Sequence, residues 1–382
     1  MVYQLSVTIA LVIFALNLLL NLKVLKRPPR STKLPEPVPL VSVLVPARNE
    51  EANIEKCLKS LEEQDYPNLE ILVLDDASSD DTAGIVERMA AADNRIRLFK
   101  GEPLLRGWAG KPFACYQLAK KARGEWLLFV DADTVHAPDM VRSVVSFAIK
   151  YRCSLLSGFP RQITVSFSQK IAIPILYFII LSWFPLWWLQ RSKKRKPSLA
   201  IGQFLLFHTE AYWRIGGHKA VKSRILEDVW LGMEVARHGG QHMVVDLAPI
   251  VSCHMYRNIG SMWNGFVRWF YSVAALSLLA LIGLIAAGLI LFLAPFYWLW
   301  QIVFVGISSV ELQLLVAFQV VMVLGMRWVT DRRFKESFIS GLLHPLGFAL
   351  VLMACLHGAS RRMLGAHVSW KRRLYGGKSG IE

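Results

Sequence analysis

Cysteine is scarce in this chain of 382 residues, which has five cysteines scattered along its length. None of them forms a CxxC pair or a zinc-binding spacing, so the sequence favours neither a disulfide-stabilised secreted domain nor a zinc module. We therefore expect reduced thiols and a main domain in the cytoplasm. The sequence also lacks internal repeats and low-complexity tracts.

Acidic residues are few as well, since 28 Asp and Glu stand against 44 Lys and Arg, for a net charge of +16. Such a charge raises the question of nucleic-acid binding, but the basic residues cluster beside apolar stretches. The chain is 54% hydrophobic with a mean hydropathy of +0.38, which is too apolar for an ordinary soluble domain. Lys and Arg flank membrane spans on the cytoplasmic side and are attracted to anionic lipid. We predict a membrane protein without a nucleic-acid partner.

The N-terminal apolar stretch, residues 3–22, is about one bilayer long as a helix. Basic residues follow this stretch and none precedes it: Lys23, Lys26, Arg27 and Arg30. A secretory signal would show the opposite order and a small-residue cleavage site. Residues 1–23 are therefore predicted to be an uncleaved anchor with its N-terminus outside. The proline-rich residues 24–39 are predicted to form a stiff linker.

Residues 40–270 have the composition of a globular domain in which apolar strands alternate with helical patterns. The expected strands are 40–47, 69–76, 96–101 and 125–133, and the expected helices are 49–64, 80–92 and 111–122. Asn49 is the expected N-cap of the first of these helices. Strands that alternate with helices and are apolar on both faces predict an α/β domain with a mainly parallel sheet.

Polar residues follow three of these strands, at Arg48-Asn49-Glu50, Asp75-Asp76 and Asp131/Asp133. Ligands of parallel sheets bind at the carboxyl ends of the strands, so we expect a ligand there. Two carboxylates separated by one residue can also bind a hard divalent cation, and Mg²⁺ and Mn²⁺ share such ligands with substrate phosphates. The alternative for Asp131 and Asp133 is a helix cap and a turn before Pro138.

A second apolar stretch, residues 171–190, is long enough to span a membrane, but a span there would split the α/β domain. Its prolines and aromatic residues favour a segment that lies in the membrane interface or is re-entrant. A basic cluster follows it: Arg191, Lys193, Lys194, Arg195 and Lys196.

Three further apolar stretches, 272–294, about 298–328 and 337–357, predict a transmembrane region over residues 271–358. Pro295 is an expected turn, and His344-Pro345 interrupts the last stretch. Basic residues, among them Arg361, Arg362, Lys371, Arg372 and Arg373, favour a cytoplasmic tail at 359–382. The number of spans is left open.

Four motifs occur in the order typical of glycosyltransferase family 2, and from Val41 to Trp269 the sequence resembles the nucleotide-sugar-dependent GT-A enzymes of that family. The motifs are VSVLVPARNEE (41–51), ILVLDDASSDDT (71–82), FVDADT (129–134) and ILEDVWLG (225–232). Two more segments, 107–117 and 212–228, are similar to membrane-bound bacterial glycosyltransferases of carotenoid-acid and hopanoid pathways. This resemblance implies a GT-A fold and a lipid acceptor.

The resemblance also implies a role for individual residues. The donor-binding residues would be Pro46, Ala47, Arg48, Glu50, Asp76, Lys111, Asp131 and Arg268. Asp131 and Asp133 would hold Mg²⁺ or Mn²⁺, Asp76 would bind the base, and Lys111 would reach the diphosphate. Three of these residues have a structural alternative: a turn for Asp76, a solvated lysine for Lys111, and a juxtamembrane anchor for Arg268.

Asp228 is the candidate general base of an inverting transfer, with Glu227 as the backup. The carotenoid-type relatives vary at the second position of this pair, so the choice between the two stays open. The alternative is an acid pair at the start of a helix. His218 and His254 are either metal or phosphate ligands or structural histidines.

The predicted activity is transfer of a hexose, from a donor such as UDP-glucose, to a lipid such as a carotenoid acid. A processive polysaccharide synthase is a second candidate, but those enzymes carry Gln-x-x-Arg-Trp and this chain has Gly265 in place of the glutamine. A polyprenyl-phosphate glycosyltransferase and a non-catalytic membrane scaffold are the remaining candidates.

Overall fold

The computed structural model describes residues 1–30, 33–190, 199–224, 226–306, 309–370 and 373–375. Some residues named above lie outside the described residues: the basic cluster from Arg191 to Lys196, Ile225 of the fourth motif, and Lys371 and Arg372 of the tail. The helices are α1 (Val2–Val24), α2 (Ile54–Glu62), α3 (Thr82–Ala92), α4 (Gly110–Lys121), α5 (Met140–Lys150), α6 (Phe167–Trp183), α7 (Leu186–Leu189), α8 (Thr209–Arg214), α9 (Glu227–Arg237), α10 (Ile259–Leu276), α11 (Leu278–Ala287), α12 (Ala294–Val305), α13 (Val310–Phe334), α14 (Phe338–Leu342) and α15 (His344–Met363).

A seven-stranded sheet forms the centre of the α/β domain. The strands of the chain are β1 (Val41–Ala47), β2 (Leu69–Asp75), β3 (Ile96–Lys100), β4 (Trp126–Val130), β5 (Thr134–His136), β6 (Leu155–Phe159), β7 (Arg161–Gln162), β8 (Phe204–His208), β9 (His242–Asp246), β10 (Val251–Cys253), β11 (Val368–Trp370) and β12 (Arg373–Tyr375). The large sheet has the order β3-β2-β1-β4-β8-β6-β9, and only β8 runs antiparallel to its neighbours. Strands β5, β10 and β7 form a small second sheet, and β11 pairs with β12. The predicted mixed, mainly parallel sheet is confirmed.

The strands are apolar throughout because helices cover both faces of the large sheet. Side chains alternate between the faces of a strand. Val43 and Val45 of β1 therefore pack into the core beneath α2, α3 and α5, and Leu44 packs into the core beneath α4, α8 and α9. Burial on both sides removes the polar positions that a half-exposed strand would show.

The prediction that Asn49 caps the first helix is wrong. Helix α2 begins at Ile54, with Asn53 in the N-cap position. Asn49 lies in the preceding loop with a φ of 52°, a left-handed conformation that asparagine tolerates better than most residues. Its Oδ1 accepts a hydrogen bond of 2.8 Å from the backbone N–H of Ser79, so Asn49 joins the loops that follow β1 and β2.

The prediction of a turn at Pro295 is also wrong. Pro295 lies in the first turn of α12, and a π-helical segment, Gly288–Leu293, joins α11 to α12. Within a longer helix, a local π-helical adjustment of this kind can accommodate the N–H that proline lacks. The helix therefore continues from Leu278 to Val305 as one candidate membrane span.

Three helices in the described part of the chain are long and apolar enough to cross a membrane: Val2–Val24, Leu278–Val305 and Val310–Phe334. The first agrees with the anchor expected at residues 1–23. Helix α15 packs along α10 and α6 within the same helical layer and begins at His344, where the sequence showed an interruption.

The segment expected to lie in the membrane interface, residues 171–190, contributes to α6 and α7. Most side chains of α6 are buried, and the helix packs between α1 and α15. Its C-terminal end is attached to α1 because Asn21 Nδ2 donates to the backbone carbonyls of Leu181 and Phe184, at 2.7 and 2.6 Å. The segment thus packs within the helical layer, and its position at a membrane interface stays a prediction.

A buried carboxylate joins the α/β domain to this helical layer. Asp246, at the end of β9, is fully buried. Its Oδ2 accepts a hydrogen bond from Arg27 Nε at 2.7 Å and forms an ion pair with Arg333, whose Nε lies 2.6 Å away. Arg27 follows α1, and Arg333 lies in the last turn of α13. The backbone N–H of Ala248 binds the other carboxylate oxygen at 3.0 Å. One side chain of the sheet therefore fixes the ends of two candidate spans.

Asp246→Ala should destabilise the protein, because two arginines lose their shared buried partner. Breaking a buried ion pair in this way costs about 3–5 kcal/mol, and we expect the lower end because the Arg27 and Arg333 side chains are 43% and 25% exposed. The midpoint of thermal unfolding in detergent micelles measures the effect. The control is Asp81→Ala, which breaks the exposed pair with Arg88 and should cost less than about 1 kcal/mol. Equal midpoints for the two variants would contradict the role of Asp246.

Candidate functional site

A cavity of about 520 Å³ lies at the carboxyl ends of β1, β2 and β4. The loops after these strands, the start of α4, residues 254–258 and helix α10 line it. All of the donor-binding residues expected from the sequence line this one cavity: Pro46, Ala47, Arg48, Glu50, Asp76, Lys111, Asp131 and Arg268. Asp133 and His254 line it too. The structure thus brings together residues that are more than 200 positions apart.

The loops after β1 and β2 are joined to each other at the cavity wall. The backbone N–H of Asp76 donates to the carbonyl of Ala47 at 2.8 Å, and Arg48 Nη1 donates to the carbonyl of Asp76. The N–H of Glu50 donates to Thr82 Oγ1 at 2.8 Å, which ties the first loop to the start of α3. The backbone of Asp76 is therefore held at a defined position in the wall.

Lys111, in the first turn of α4, contacts three separate segments. Its Nζ lies 2.5 Å from Asp131 Oδ1, 3.6 Å from Glu227 Oε1 and 3.1 Å from the carbonyl of Gly202. Burial alone would lower the pKa of Lys111, but the Asp131 and Glu227 carboxylates raise it well above its usual value. Lys111 is therefore a permanently charged side chain, and the interpretation of it as a solvated lysine is wrong.

Asp133 lies on the turn after β4, two residues beyond Asp131. Burial is the main cause that raises the pKa of Asp133, to about 7, and the nearby Asp131 and Glu50 carboxylates add to this effect. Its Oδ1 accepts a hydrogen bond from the Cys253 thiol at 3.3 Å. Burial also raises the pKa of the Cys253 thiol well above its usual value, so the thiol keeps the proton that it donates.

The donor set of Asp131 and Asp133 suits a hard divalent cation but does not complete its coordination. Two neighbouring, half-buried carboxylates repel each other, and a cation between them would relieve that repulsion. The described residues contain no group of three or more His, Cys, Asp or Glu side chains able to hold a metal ion. Mg²⁺ and Mn²⁺ sites of this kind take their remaining ligands from substrate phosphates and water. The two aspartates thus fit a cation that is shared with a phosphorylated ligand.

Glu227 and Asp228 form the first turn of α9, behind Lys111. Asp228 Oδ2 accepts from the N–H of Gly202 at 2.7 Å, and its Oδ1 accepts from the N–H of Val229 at 2.8 Å. Burial raises the pKa of Asp228, and it raises that of Glu227 to about 7. The described residues that line the cavity do not include either carboxylate. Since catalytic hydrogen bonds often tighten only in the substrate complex, the role of either residue as a base stays a prediction.

The two histidines singled out in the sequence have different environments. His218 is buried, its ring lies 4.8 Å from that of Phe129, and its Nδ1 is 2.9 Å from Tyr212 Oη. Burial lowers the pKa of His218 to about 3, so it is a neutral, structural histidine. His254 lines the cavity, and its backbone N–H donates to the carbonyl of Asp133 at 2.9 Å.

Sequence reasoning missed Tyr256, which lines the cavity next to Gly265. A Cβ atom at position 265 would lie 2.4 Å from both Cε1 and the hydroxyl oxygen of Tyr256. The tyrosine backbone is held in place because Gln169 Nε2 donates to its carbonyl at 2.9 Å. The aromatic ring therefore occupies the space that any side chain at position 265 would need. The unusual glycine in NGFVRW was the one available signal.

Comparison with known proteins agrees with this site. The family model described as Glycosyl transferase family 2 matches residues 42–216. The 4,4'-diaponeurosporenoate glycosyltransferase of Staphylococcus haemolyticus is 30% identical over 215 residues, which are 53% of this chain and 55% of that protein. The protein of the same name from Staphylococcus aureus (strain USA300) is 27% identical over 231 residues, 60% of each chain. The chain thus matches little more than half the length of these curated relatives.

A solved structure extends the similarity beyond the α/β domain. The mannosyltransferase PcManGT from Pyrobaculum calidifontis, solved with GDP-Man and Mn²⁺, superposes with a TM-score of 0.52 at 19% identity. The match covers 94% of this chain and 98% of that one. At this identity the likeness establishes the fold alone, and the prediction of a GT-A-type α/β domain with added apolar helices is confirmed.

Gly265→Ala should destabilise the protein, because the new methyl group displaces the ring of Tyr256. Overpacking of this kind costs about 1–3 kcal/mol, although alanine is by itself the better helix former. The same change in a Tyr256→Ala background should cost nothing. Thermal unfolding of the single and double variants measures the coupling.

The matched control is Gly283→Ala in α11, where the new Cβ would meet no atom within 4 Å. This change should leave the unfolding midpoint unchanged or raise it slightly. If Gly265→Ala destabilised the protein equally with and without Tyr256, the packing between the two residues would not be the cause.

Proposed function

We propose, from the premise that residues 42–216 form a glycosyl transferase family 2 domain, that this protein transfers a hexose from a nucleotide-sugar donor to a lipid acceptor at a membrane. The observation that carries the proposal is the meeting of all the expected donor-binding residues in one cavity. Helix α10, which packs along α15 in the helical layer, forms one wall of the same cavity. Donor and lipid can therefore approach the site from different sides.

The donor would be a nucleoside diphosphate sugar, most simply a UDP-hexose. A cavity of about 520 Å³ is within the usual range for small-molecule sites. Asp76 would accept an N–H of the base, and Lys111 and Arg268 would bind the diphosphate. The structurally similar mannosyltransferase was solved with GDP-Man and Mn²⁺, and the residues of this cavity are compatible with a ligand of that class.

Asp131 and Asp133 would hold Mg²⁺ or Mn²⁺ together with the donor phosphates. When bound, such a cation stabilises the negative charge that grows on the diphosphate leaving group. Lys111 contributes to the same stabilisation because it lies 2.5 Å from Asp131 and keeps its charge. Either Asp228 or Glu227 would take the acceptor proton in an inverting transfer. An acceptor carboxylic acid would already be ionised, and the base would then matter less.

The acceptor would be a lipid that reaches the cavity from the helical layer, with the catalytic domain on the cytoplasmic side. The names of the relatives point to a carotenoid acid, 4,4'-diaponeurosporenoate. Tyr256 and Gly265 argue against a processive polysaccharide synthase, because the tyrosine ring fills the space at the position of the synthase glutamine. A non-catalytic scaffold would have no use for buried carboxylates gathered around Lys111.

Membranes containing the wild-type protein should transfer label from UDP-glucose into an organic-solvent extract when Mg²⁺ or Mn²⁺ is present. Asp133→Asn should reduce this transfer at least about 100-fold, because it removes a charge that holds the cation. The matched control is Asp81→Asn on the exposed surface of α3, which should leave transfer unchanged. Mass spectrometry of the extracted product identifies the acceptor.

Two outcomes would overturn parts of this proposal. Label that remains in an insoluble polymer would exclude single transfer to a lipid. Donor binding that persists unchanged after Asp76→Ala would exclude the assigned base-binding position, whatever the acceptor.

Asp228→Asn and Glu227→Gln should separate the two candidate bases. Loss of a general base lowers kcat by about 10²- to 10⁴-fold. In Asp228→Asn the KM for the donor should change little. Glu227→Gln should also raise the donor KM, because Glu227 lies 3.6 Å from Lys111. Steady-state kinetics with the identified acceptor measures both constants. If each variant kept nearly full kcat, neither carboxylate would be the base.

A further inference from the structure

A chain of buried hydrogen bonds connects the helical layer to Asp133. We call the side chains of Tyr177, Gln162, Gln203 and Cys253 the relay. Gln162 Nε2 donates to Tyr177 Oη at 3.0 Å and to Gln203 Oε1 at 2.9 Å. Gln203 Nε2 donates to Cys253 Sγ at 3.0 Å, and the Cys253 thiol donates to Asp133 Oδ1 at 3.3 Å. All four side chains of the relay are buried.

The hydrogen bonds of the relay have a consistent direction from Gln162 to Asp133. Gln162 donates to Gln203, Gln203 donates to Cys253, and Cys253 donates to the carboxylate. Hydrogen bonds in such a series polarise one another, and the series ends on an acceptor that can carry negative charge. The thiol can serve Asp133 as a donor because its sulfur already accepts from Gln203.

The other end of the relay lies in the helical layer. Tyr177 belongs to α6, and its hydroxyl donates to the carbonyl of Pro160 at 2.5 Å. Its ring packs 4.6 Å from that of Phe334 at the end of α13 and 5.4 Å from that of Phe159 in β6. Phe334 directly follows Arg333, which binds Asp246. The relay therefore begins where two helices of this layer meet the sheet.

We propose that Cys253 and Gln203 are positioning residues that hold Asp133 in the orientation needed to bind a divalent cation. This inference rests on the proposed function, since it concerns the cation that Asp131 and Asp133 would share. With Oδ1 bound to the thiol, the carboxylate of Asp133 has a fixed rotation. Its second oxygen can then face the cavity, which Asp133 lines.

The expected loss of metal affinity follows from the usual contribution of residues that hydrogen-bond to metal ligands. Loss of a hydrogen bond to a ligating side chain typically weakens metal binding by about 10- to 100-fold. Cys253→Ala removes the donor to Asp133 and leaves Gln203 without its acceptor. Cys253→Ser keeps both a donor and an acceptor at nearly the same place.

The experiment measures binding of Mn²⁺ in the presence of UDP by the purified full-length protein in detergent micelles. The signal is the loss of free Mn²⁺ in electron paramagnetic resonance, which does not depend on turnover. Cys253→Ala should raise the Kd for Mn²⁺ about tenfold, and Cys253→Ser should restore most of the affinity. Cys153→Ala, which removes a buried thiol from the core beneath α5, should bind Mn²⁺ as the wild type does.

A second variant keeps the test valid if Cys253→Ala does not fold. Tyr177→Phe removes one hydroxyl from the far end of the relay and keeps the packing of the ring against Phe334. The hydroxyl accepts from Gln162 Nε2, so its loss should raise the Kd by a smaller factor than Cys253→Ala does, because it acts on Asp133 only through the intervening hydrogen bonds.

The outcomes distinguish this inference from the proposed function. If Cys253→Ala, or Tyr177→Phe where the former is unfolded, binds Mn²⁺ as tightly as the wild type, the relay does not position Asp133. The proposed function would survive that result. If the wild type itself bound no Mn²⁺ in the presence of UDP, the proposed cation site and this inference would both be overturned.

Discussion

The ammonium group of Lys111 is the charge on which the arrangement of the candidate site depends. It contacts three segments: the turn after β4 through Asp131, the start of α9 through Glu227, and the segment before β8 through the carbonyl of Gly202. These side chains are partly withdrawn from solvent, since Lys111, Asp131 and Glu227 are 20%, 27% and 9% exposed. A nearby opposite charge stabilises carboxylates in such a place. A single lysine in the first turn of α4 thus connects the proposed cation-binding turn to the candidate base. Gly202 in turn binds Asp228 through its N–H, so the second acid of α9 is fixed by the same segment.

The helical layer and the α/β domain are joined by polar contacts as well as by apolar packing. Asp246 binds arginines from the ends of α1 and α13, and the relay extends from α6 to Asp133. Buried polar groups that pair with one another favour one arrangement over others, because displacement breaks those pairs. The candidate site is therefore not an independent soluble enzyme placed beside a membrane anchor. Its proposed cation-binding turn takes its orientation partly from helices of the layer.

Much of the fold, and the gathering of the candidate site residues at one cavity, could be predicted from the sequence because the signals are local. The strands at 41–47, 69–75 and 126–130 are continuous apolar runs, and their polar ends meet at one edge of the sheet. The errors arose where tertiary contacts override local preference. Asn49 has a capping residue's chemistry but binds Ser79 in a neighbouring loop. Pro295 continues a helix because a π-helical segment directly precedes it. The relay joins residues from four separate segments, and no pattern in the sequence indicates such a set.

Glycine at position 265 affects both the structure and the chemistry of the cavity wall. A side chain there would collide with Tyr256, whose ring closes the cavity wall beside Gly265. Tyr256 follows β10 closely, only three residues after the cysteine that binds Asp133. One short segment, residues 253–256, therefore orients the carboxylate of Asp133 and also fills the space beside Gly265. A product that extended along this wall would have to displace the tyrosine, and a displaced tyrosine would disturb the segment that holds Asp133. Under the proposed function, growth of a long glycan through this cavity would thus disturb the proposed cation-binding turn, and release after a single transfer would not.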